Sequence, residues 1–474
     1  MPRQSATARI ISLSLVGVAV ATVLLLVRPP DLSLQGRRLV VTIWHPWGGA
    51  TLETFQNSVN VFEKSHPDLA CKTLYVPNDL SASQKFFTSV IGDCAPDVIF
   101  VDGPQVAEWA HRGLLLPLDD LLAAEGVDVA GLKNDFFAPC WEQGLYRGKV
   151  YAITYSADPN FCFVWNKKMI RQAIERGEIP AGALDVDKPP ATLAQLDRWN
   201  ALVTRRVKTA TGDRLERIGL VPWGVYGNAN SIFTWGWAFG GQFYDPATGK
   251  VTADDPRIVE ALEWMVRHAR EYDYERISNL ASTFQSEARN PFFLGQQMLN
   301  LAHMSMIADI DRFASEGEGK LEYGRDYGVC PIPQGPGGLN AAAWVGGWTM
   351  AIPATITDPA RRRAALRYIL WNCRQPEGTT LAARTNRCFP AWKDAPFFPE
   401  AAKDPRLAQF IDILRSSRHQ RPVMPAQAFY MDQLGRAVDK AIRGELTPAQ
   451  ALGRASRATQ ERLDEVLAEQ GGQP

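Results

Sequence analysis

Tryptophan set beside glycine and asparagine in short segments is the most distinctive chemical feature of this chain. There are fourteen tryptophans, and the clearest segment is 223–241, WGVYGNANSIFTWGWAFGG. Segments 44–49 (WHPWGG) and 344–348 (WVGGW) are similar. A flat indole can stack on the C–H face of a sugar ring, while amide, carboxylate and backbone groups bind its hydroxyls. The sequence therefore predicts a concave carbohydrate-binding site.

The aromatic candidates for this site come from both halves of the chain, and packing in the core is the alternative for each. We expect the glycine-rich run around Trp235 and Trp237 to face the ligand. Trp47 follows the first predicted strand, and Trp344 and Trp348 lie close together further along the chain.

Three polar residues complete the candidate site. Asp102 follows a predicted strand, where its carboxylate could accept two hydrogen bonds from hydroxyls; charge-assisted bonds of this kind are the stronger ones. Its alternative role is to cap a helix. Asp158 and Asn160 are also candidates.

Motifs for catalysis or for metal binding are not found in the sequence. The six histidines form no HExxH spacing, the seven cysteines form no CxxC pair, and GxSxG and Walker A segments are missing. We therefore expect no catalytic residue, no metal and no cofactor. A glycoside hydrolase with two carboxylates across a sugar stays an alternative, which an assay for turnover would separate from binding.

Charge and the N-terminal segment indicate where the protein acts. The chain has 51 basic and 51 acidic residues and no basic stripe, which argues against nucleic acid as a partner.

Arg3 and Arg9 precede an apolar run from Ile10 to Val27. Segment 1–38 is thus a secretory signal or an uncleaved membrane anchor, with a buried helix as a third alternative. Both leading alternatives place the body outside the cytoplasm, where Cys71 with Cys94, and Cys373 with Cys388, are the first disulfide candidates.

The predicted elements alternate between strands and helices over the first part of the chain. Strands at 38–44, 69–76 and 96–101 alternate with helices at 51–66, 80–91 and 106–111. This order is typical of an open α/β sheet, in which ligands bind beyond the carboxyl ends of the strands. Trp47 and Asp102 lie in those loops. The middle is mostly helical, with further strands at 327–332 and 348–352, and the length of 474 residues favours two domains or lobes.

The order of several short motifs resembles one family along nearly the whole chain after the N-terminal segment. They are Trp44-His-Pro-Trp47-Gly, Ala95-Pro-Asp-Val-Ile-Phe, Gly148-Lys-Val-Tyr151, Phe163-Val-Trp165-Asn-Lys and Val345-Gly-Gly-Trp348. The family is that of the extracellular solute-binding proteins of ABC importers, the sugar-binding group that includes maltose-binding protein. The chain departs from it at Thr154, where a proline is usual, and after Met298, where a glycine-tryptophan pair is usual.

The resemblance implies an α/β, two-lobe periplasmic binding protein fold, similar to maltose-binding protein, with an interlobe hinge and a ligand cleft. Lobe 1 would comprise 39–156 and 350–389, and lobe 2 would comprise 157–349 and 390–474. The chain would cross between them near 155–160, 345–350 and about 390, so Asp158 and Asn160 would flank the first crossing.

The implied function is that of a monomeric, extracytoplasmic receptor that binds a mono- or oligosaccharide and delivers it to ABC permease subunits, without catalysis. The alternatives are a membrane-tethered sugar sensor that does not take part in transport, and a receptor for another small molecule such as a polyamine.

Overall fold

The computed structural model describes residues 34–35, 38–77, 80–159, 161–210, 212–224, 227–282, 290–314 and 320–471. The apolar run 10–27 and Asn160 lie outside the described residues. Among the helices of the described part, none combines the length and the apolar character needed to cross a bilayer.

The strands, numbered in chain order, are β1 Leu34–Gln35, β2 Arg38–His45, β3 Leu69–Tyr75, β4 Val98–Asp102, β5 Leu145–Tyr146, β6 Lys149–Val150, β7 Ala152–Thr154, β8 Ser156–Pro159, β9 Cys162–Asn166, β10 Arg205–Thr209, β11 Gly212–Arg217, β12 Tyr244–Asp245, β13 Lys250–Val251, β14 Leu299–Ala302, β15 Tyr327–Pro331, β16 Val345–Gly346, β17 Trp348–Ala351 and β18 Phe389–Pro390.

The helices are Ala50–Ser65, Leu80–Ile91, Gly103–His111, Asp119–Ala124, Val129–Asp135, Ala138–Glu142, Lys167–Glu175, Leu193–Val203, Asn228–Ala238, Pro256–Tyr272, Tyr274–Ser282, Met304–Phe313, Pro359–Arg374, Pro376–Asn386, Phe397–Ala401, Pro405–Ser416, Gln427–Ile442 and Pro448–Gly471.

The larger sheet has the strand order β3–β2–β4–β17–β7, and β1 pairs with the beginning of β2. The strand β2 runs parallel to β3 and β4, whereas β17 is antiparallel to β4 and β7. Val41 and Ile43 of β2 are buried among helices, as expected for a strand of a parallel sheet that is covered on its faces. The predicted strand–helix alternation is confirmed. It places the carboxyl ends of β2 and β4 at one edge, where Trp348 pairs with Asp102.

A second sheet, β14–β9–β15, is wholly antiparallel and lies in another part of the chain. Phe163 and Trp165 of β9 belong to a second hydrophobic core. Helices that contribute to this core are Leu193–Val203, Asn228–Ala238, Pro256–Tyr272, Gln427–Ile442 and Pro448–Gly471.

A small third sheet joins the segments between these two bodies. The strand β8 pairs with β16 on one side and β18 on the other. Gly347, the single residue between β16 and β17, has φ +146°, and an added Cβ would lie 1.8 Å from Ser156 O, so only glycine fits this position. The three segments where the sequence predicts crossings thus lie side by side. The lobe boundaries drawn above stay a prediction.

The threonines at the starts of two helices form different hydrogen bonds. The Thr192 side chain caps the helix Leu193–Val203 by accepting a hydrogen bond from Gln195 N at 3.3 Å, as its position in the sequence suggests. Thr51 does not cap its helix, because the helix begins one residue earlier and the Thr51 hydroxyl donates to Gly48 O instead.

Residues 228–238, the middle of the glycine-rich aromatic run that we expect to face the ligand, form a helix. Its residues 231–238 are all buried, because apolar side chains occupy every side of it. Gly236 lies against Phe243, whose ring would be 2.4 Å from an added Cβ.

All seven cysteines are free thiols, so neither candidate disulfide is formed in this structure. The Cys373 thiol instead contacts Met350 Sδ at 3.8 Å.

Candidate ligand-binding site

A cavity of about 30 Å³ lies at the carboxyl ends of β2 and β4, where an open α/β sheet binds its ligands. Its lining includes Trp44, His45, Gln105, Trp109 and Trp348. Trp44 and Trp348 keep part of their surface exposed, whereas most tryptophans of this protein are buried. These two indoles are therefore the aromatic faces that this edge of the sheet offers to a ligand.

Trp47 lies behind this cavity and supports it. Its ring stacks on Phe55 with centroids 5.1 Å apart, meets Phe100 edge-on at 4.4 Å, and lies 6.3 Å from the Trp348 ring. Only 5% of Trp47 is exposed. The structure therefore brings Trp47 next to Trp348, but as a packing partner.

His45 also borders the cavity. Its side chain is buried, and this burial lowers the pKa of the imidazole to about 4. The ring is consequently neutral near pH 7 and adds no charge to the cavity.

Asp102 forms an ion pair with Arg421, a residue distant in sequence. Arg421 Nη2 donates to Asp102 Oδ1 at 2.7 Å, and Nη1 donates to Oδ2 at 3.4 Å. The Arg421 guanidinium also lies over the Trp344 ring, 5.8 Å from its centroid. Asp102 is thus in the site, with its charge balanced by an arginine.

Asp158 lies on β8, beside this ion pair. Burial raises the pKa of its carboxyl to about 6, while a hydrogen bond with the Cys388 thiol and the nearby charge of Arg421 act in the opposite direction. Among the described residues, Asp158 Oδ1 and Arg421 Nε are buried atoms without a hydrogen-bond partner. A hydroxyl group both donates and accepts hydrogen bonds, so it could donate to Asp158 Oδ1 or accept from Arg421 Nε.

Trp237 and Trp344 form the aromatic part of the opposite side. The Trp344 indole N–H donates to Thr234 Oγ1 at 3.1 Å, and its ring lies 5.6 Å from that of Trp237. The Trp237 ring is parallel to His419 at 5.0 Å. Both tryptophans are 5% exposed, so their faces are covered in this arrangement.

Trp235 lies in the second core, away from the candidate site. It has no exposed surface, its indole N–H donates to Pro222 O at 2.7 Å, and its ring is 4.6 Å from Trp264. Trp235 and Trp237 are two positions apart on the helix Asn228–Ala238, so their side chains point in different directions.

The structure therefore brings together Asp102, Asp158 and Trp348, with Trp344 next to Arg421 and Trp47 behind Trp348. Sequence reasoning did not single out Trp44, Gln105 or Arg421. Arg421 directly precedes Pro422, and its partner Asp102 is 319 positions away in the sequence. No local spacing could reveal such a pair.

The described residues contain no group of three or more His, Cys, Asp or Glu side chains arranged to hold a metal ion. The site offers aromatic faces, one ion pair and the buried carboxyl of Asp158. These groups are suited to holding a neutral polar molecule.

Comparison with known proteins identifies relatives over most of the chain. The family model described as "Bacterial extracellular solute-binding protein" matches residues 48–370, which is more than half of the chain. A "Probable ABC transporter-binding protein" of Deinococcus radiodurans is 24% identical over 283 residues, or 59% of this chain and 62% of that protein. The chain thus spans less than two thirds of this relative. A "Mannitol-binding protein" of Pseudomonas aeruginosa is 22% identical over 426 residues, 85% of this chain and 88% of that protein.

Solved structures show the same fold. CpMnBP1 with mannotriose bound gives a TM-score of 0.72 at 23% identity, covering 89% of this chain and all (100%) of that one. Maltose-bound MalE3 of T. maritima gives 0.67 at 21% identity, with 90% and 100% covered. At this level of identity the likeness shows the two-lobe fold of the maltose-binding-protein type.

Proposed function

Because the chain belongs to the bacterial extracellular solute-binding protein family, we propose that it is the receptor of an ABC importer and binds a carbohydrate between its two lobes. The observation that carries the proposal is that Arg421 and Asp158, next to Asp102 and the Trp344 ring, leave one hydrogen-bond donor and one acceptor unmet where the two bodies meet. The names of similar proteins, which bind mannitol, mannotriose and maltose, support a polyhydroxylated ligand.

We assign the ligand contacts by chemistry. Trp348 and Trp44 would stack on the C–H face of a sugar ring. Asp102 and Asp158 would accept hydrogen bonds from hydroxyls, and Arg421 would donate to a ring or hydroxyl oxygen.

The remaining sequence candidates have different places in this proposal. Trp344 and Trp237 would contact the ligand only in an arrangement that exposes their ring faces. Trp47 would act indirectly, by packing against Trp348. Asn160 stays a candidate from the sequence alone, and Trp235 is left out because it lies in the core.

The proposal extends to the partners and the location of the protein. Its family consists of extracellular binding proteins, so the folded body would act outside the cytoplasm as a monomer and dock on permease subunits. The lobes would have the boundaries that the sequence suggests, 39–156 with 350–389 and 157–349 with 390–474. Segment 1–38 would export or tether the chain.

We also propose that the protein binds its ligand without chemical change. Both carboxylate oxygens of Asp102 already accept hydrogen bonds from Arg421. Incubation with mannobiose, mannotriose and maltose, followed by product analysis, should return each sugar unchanged. Turnover that is lost in Asp102→Asn would instead identify a hydrolase.

A thermal-shift panel tests the ligand class. The panel would contain mannitol, mannobiose, mannotriose, maltose, an amino acid and spermidine. A carbohydrate present at a hundred times its dissociation constant should stabilise the protein by about 2.7 kcal/mol. Stabilisation by spermidine or the amino acid alone would overturn the carbohydrate proposal. Spermidine could bind because the site has two carboxylates, Asp102 and Asp158, and only one guanidinium, that of Arg421.

A further inference from the structure

A second, larger cavity lies beside the hairpin of β10 and β11, and its volume is about 940 Å³. This volume falls within the roughly 300–1,000 Å³ of sites that hold small molecules. None of its described lining residues belongs to the candidate site around Asp102 and Asp158. Five of the lining residues are arginines: Arg176, Arg205, Arg214, Arg217 and Arg276.

One face of the hairpin is held by a small hydrophobic core. On β11, Leu215 is buried together with Ile218 and Tyr272. Successive side chains of a strand point to opposite faces, so Arg214 lies on the face opposite to Leu215. Arg214 lines the cavity and is exposed. The packing of Leu215 therefore directs the Arg214 side chain away from the core.

Three of the arginines share two carboxylates. Glu178 forms ion pairs with Arg176 at 2.6 Å, with Arg217 at 2.8 Å, and with Arg205. Arg205 also pairs with Glu216 at 3.0 Å. These contacts hold the three guanidinium groups at the wall of the cavity and leave their positive charge only partly balanced.

The other two arginines differ in their partners. Arg276 Nε pairs with Asp273 Oδ2 at 2.9 Å, whereas Arg214 has no acidic partner in the described part of the chain. With Asp213 of the lining and Asp273 counted, the five arginines still outnumber the carboxylates. One negatively charged ligand would balance this cluster. A guanidinium binds a carboxylate or a phosphate well, because two parallel hydrogen bonds can form.

Gln296 adds an uncharged polar group to the same cavity. Its backbone is held on both sides, since Gln296 N donates to Pro291 O at 2.9 Å and Gln296 O accepts from Ile218 N at 2.9 Å. The side-chain oxygen Oε1 is buried and lacks a hydrogen-bond partner among the described residues. Because an unmet buried acceptor is unfavourable, a hydroxyl group that donates to Gln296 Oε1 would be stabilising.

We propose that this cavity is a second binding site, for a small anion that also carries hydroxyl groups, such as a sugar acid or a polyol phosphate. The arginines would bind its carboxylate or phosphate, with Arg214 as the main contact, and Gln296 Oε1 would accept a hydrogen bond from a hydroxyl. The inference goes beyond the proposed function, because the two sites share no residue and either can be occupied without the other.

Isothermal titration calorimetry and hydrogen–deuterium exchange of the full-length protein test this inference. The probes are glucuronate and β-glycerophosphate, with glucose and glycerol as their neutral counterparts, all at millimolar concentrations. At least one of the two anions should bind and slow exchange in β10 and β11, and its neutral counterpart should not. The inference is overturned if neither anion slows exchange there, or if the neutral counterparts slow it equally.

Two variants with the same loss of charge separate a site from general attraction of anions. Arg214→Gln should weaken binding of the anion by about tenfold or more, because it removes the proposed main contact. Arg454→Gln is the matched control, since Arg454 is also exposed but lies on the helix Pro448–Gly471, outside the cavity lining. This control should bind the anion as tightly as the native chain, and equal losses in the two variants would overturn the inference.

Vesicles that contain phosphatidylglycerol distinguish a soluble ligand from a membrane surface, because the lipid headgroup has the same chemistry as β-glycerophosphate. The inference predicts that the soluble anions slow exchange in β10 and β11 when no vesicles are present. Slower exchange with vesicles, but with neither soluble anion, would instead identify a contact with the membrane and overturn the inference.

Discussion

At the scale of single residues, Asp158 is a carboxyl group of the candidate site whose protonation the fold changes. Burial raises the pKa of its carboxyl from 3.8 to about 6. The folded protein therefore keeps this proton between about pH 4 and 6, while the unfolded chain, with an ordinary pKa of about 3.9, has lost it. The stability that this difference contributes is fully present below about pH 4 and is lost as the pH rises through 6.

Asp158→Asn should consequently change the pH dependence of stability. At pH 7.5 we expect the variant to be more stable than the native chain by up to roughly 2 kcal/mol, because no buried charge has to be accommodated. Below pH 4 the two should unfold alike. Urea titrations at pH 3.5, 5 and 7.5 measure this difference, and a variant that is less stable at pH 7.5 would show that the ionised carboxylate is needed by Arg421.

Trp348 has the partly exposed ring that we expect to stack on the ligand. Trp348→Ala should weaken binding of the most stabilising carbohydrate by 10- to 100-fold, or about 1.4–2.8 kcal/mol, in isothermal titration calorimetry. Trp223 is a suitable control, because it is also partly exposed but packs near Tyr274, outside the site. Equal losses in Trp348→Ala and Trp223→Ala would argue against a stacking role.

At the scale of elements, the short sheet β16–β8–β18 depends on Gly347. Its positive φ and the close approach of Ser156 O leave no room for a side chain. Gly347→Ala should lower the free energy of unfolding by more than about 3 kcal/mol, since backbone strain and a severe clash combine. Gly435, in the helix Gln427–Ile442, is the matched control, because an added Cβ there meets its nearest atom at 4.0 Å.

Gly435→Ala should leave the protein equally stable or stabilise it by up to about 1 kcal/mol, as usual for glycine within a helix. Denaturant unfolding of both variants gives the comparison. If Gly347→Ala unfolded like Gly435→Ala, the tight junction between β8 and β17 would not be present in solution.

The elements of the first α/β unit could be predicted because their signals are local. β2, the helix Ala50–Ser65 and β3 have apolar spacing that directly reflects which side chains are buried. The helix Asn228–Ala238 could not be recognised in this way, because it is buried on all sides and its pattern has no polar face. Glycine and tryptophan there indicate close packing against Phe243 and Trp264.

The candidate site shows the same limit. Asp102 and Trp348 could be predicted as site residues, because both lie at strand ends and the order of the strands can be inferred from the sequence. Their partner Arg421 belongs to a loop that folds back from the C-terminal part of the chain, so only the tertiary structure reveals it. The exposure that separates Trp348 from Trp235 also depends on packing across the whole lobe.

At the scale of the whole molecule, ligand binding should need contacts from both lobes. Asp102 ends β4 of the larger sheet, whereas Arg421 belongs to the C-terminal part of the chain. Arg421→Lys, which keeps the charge but loses the planar guanidinium, should weaken binding of the best carbohydrate several-fold, because Arg421 is one of the proposed ligand contacts. Isothermal titration calorimetry measures the dissociation constant, and an unchanged constant would contradict the expectation.

The most direct measurement of carbohydrate binding between the lobes is a crystal structure with the sugar that gives the largest thermal stabilisation. We predict electron density for the sugar beside the Trp348 ring, with hydroxyls within hydrogen-bond distance of Asp158 Oδ1 and Arg421 Nε, and a cavity much larger than about 30 Å³. Density for the sugar elsewhere, with the Trp348 cavity still empty and the ion pair of Asp102 with Arg421 unchanged, would contradict the proposed site.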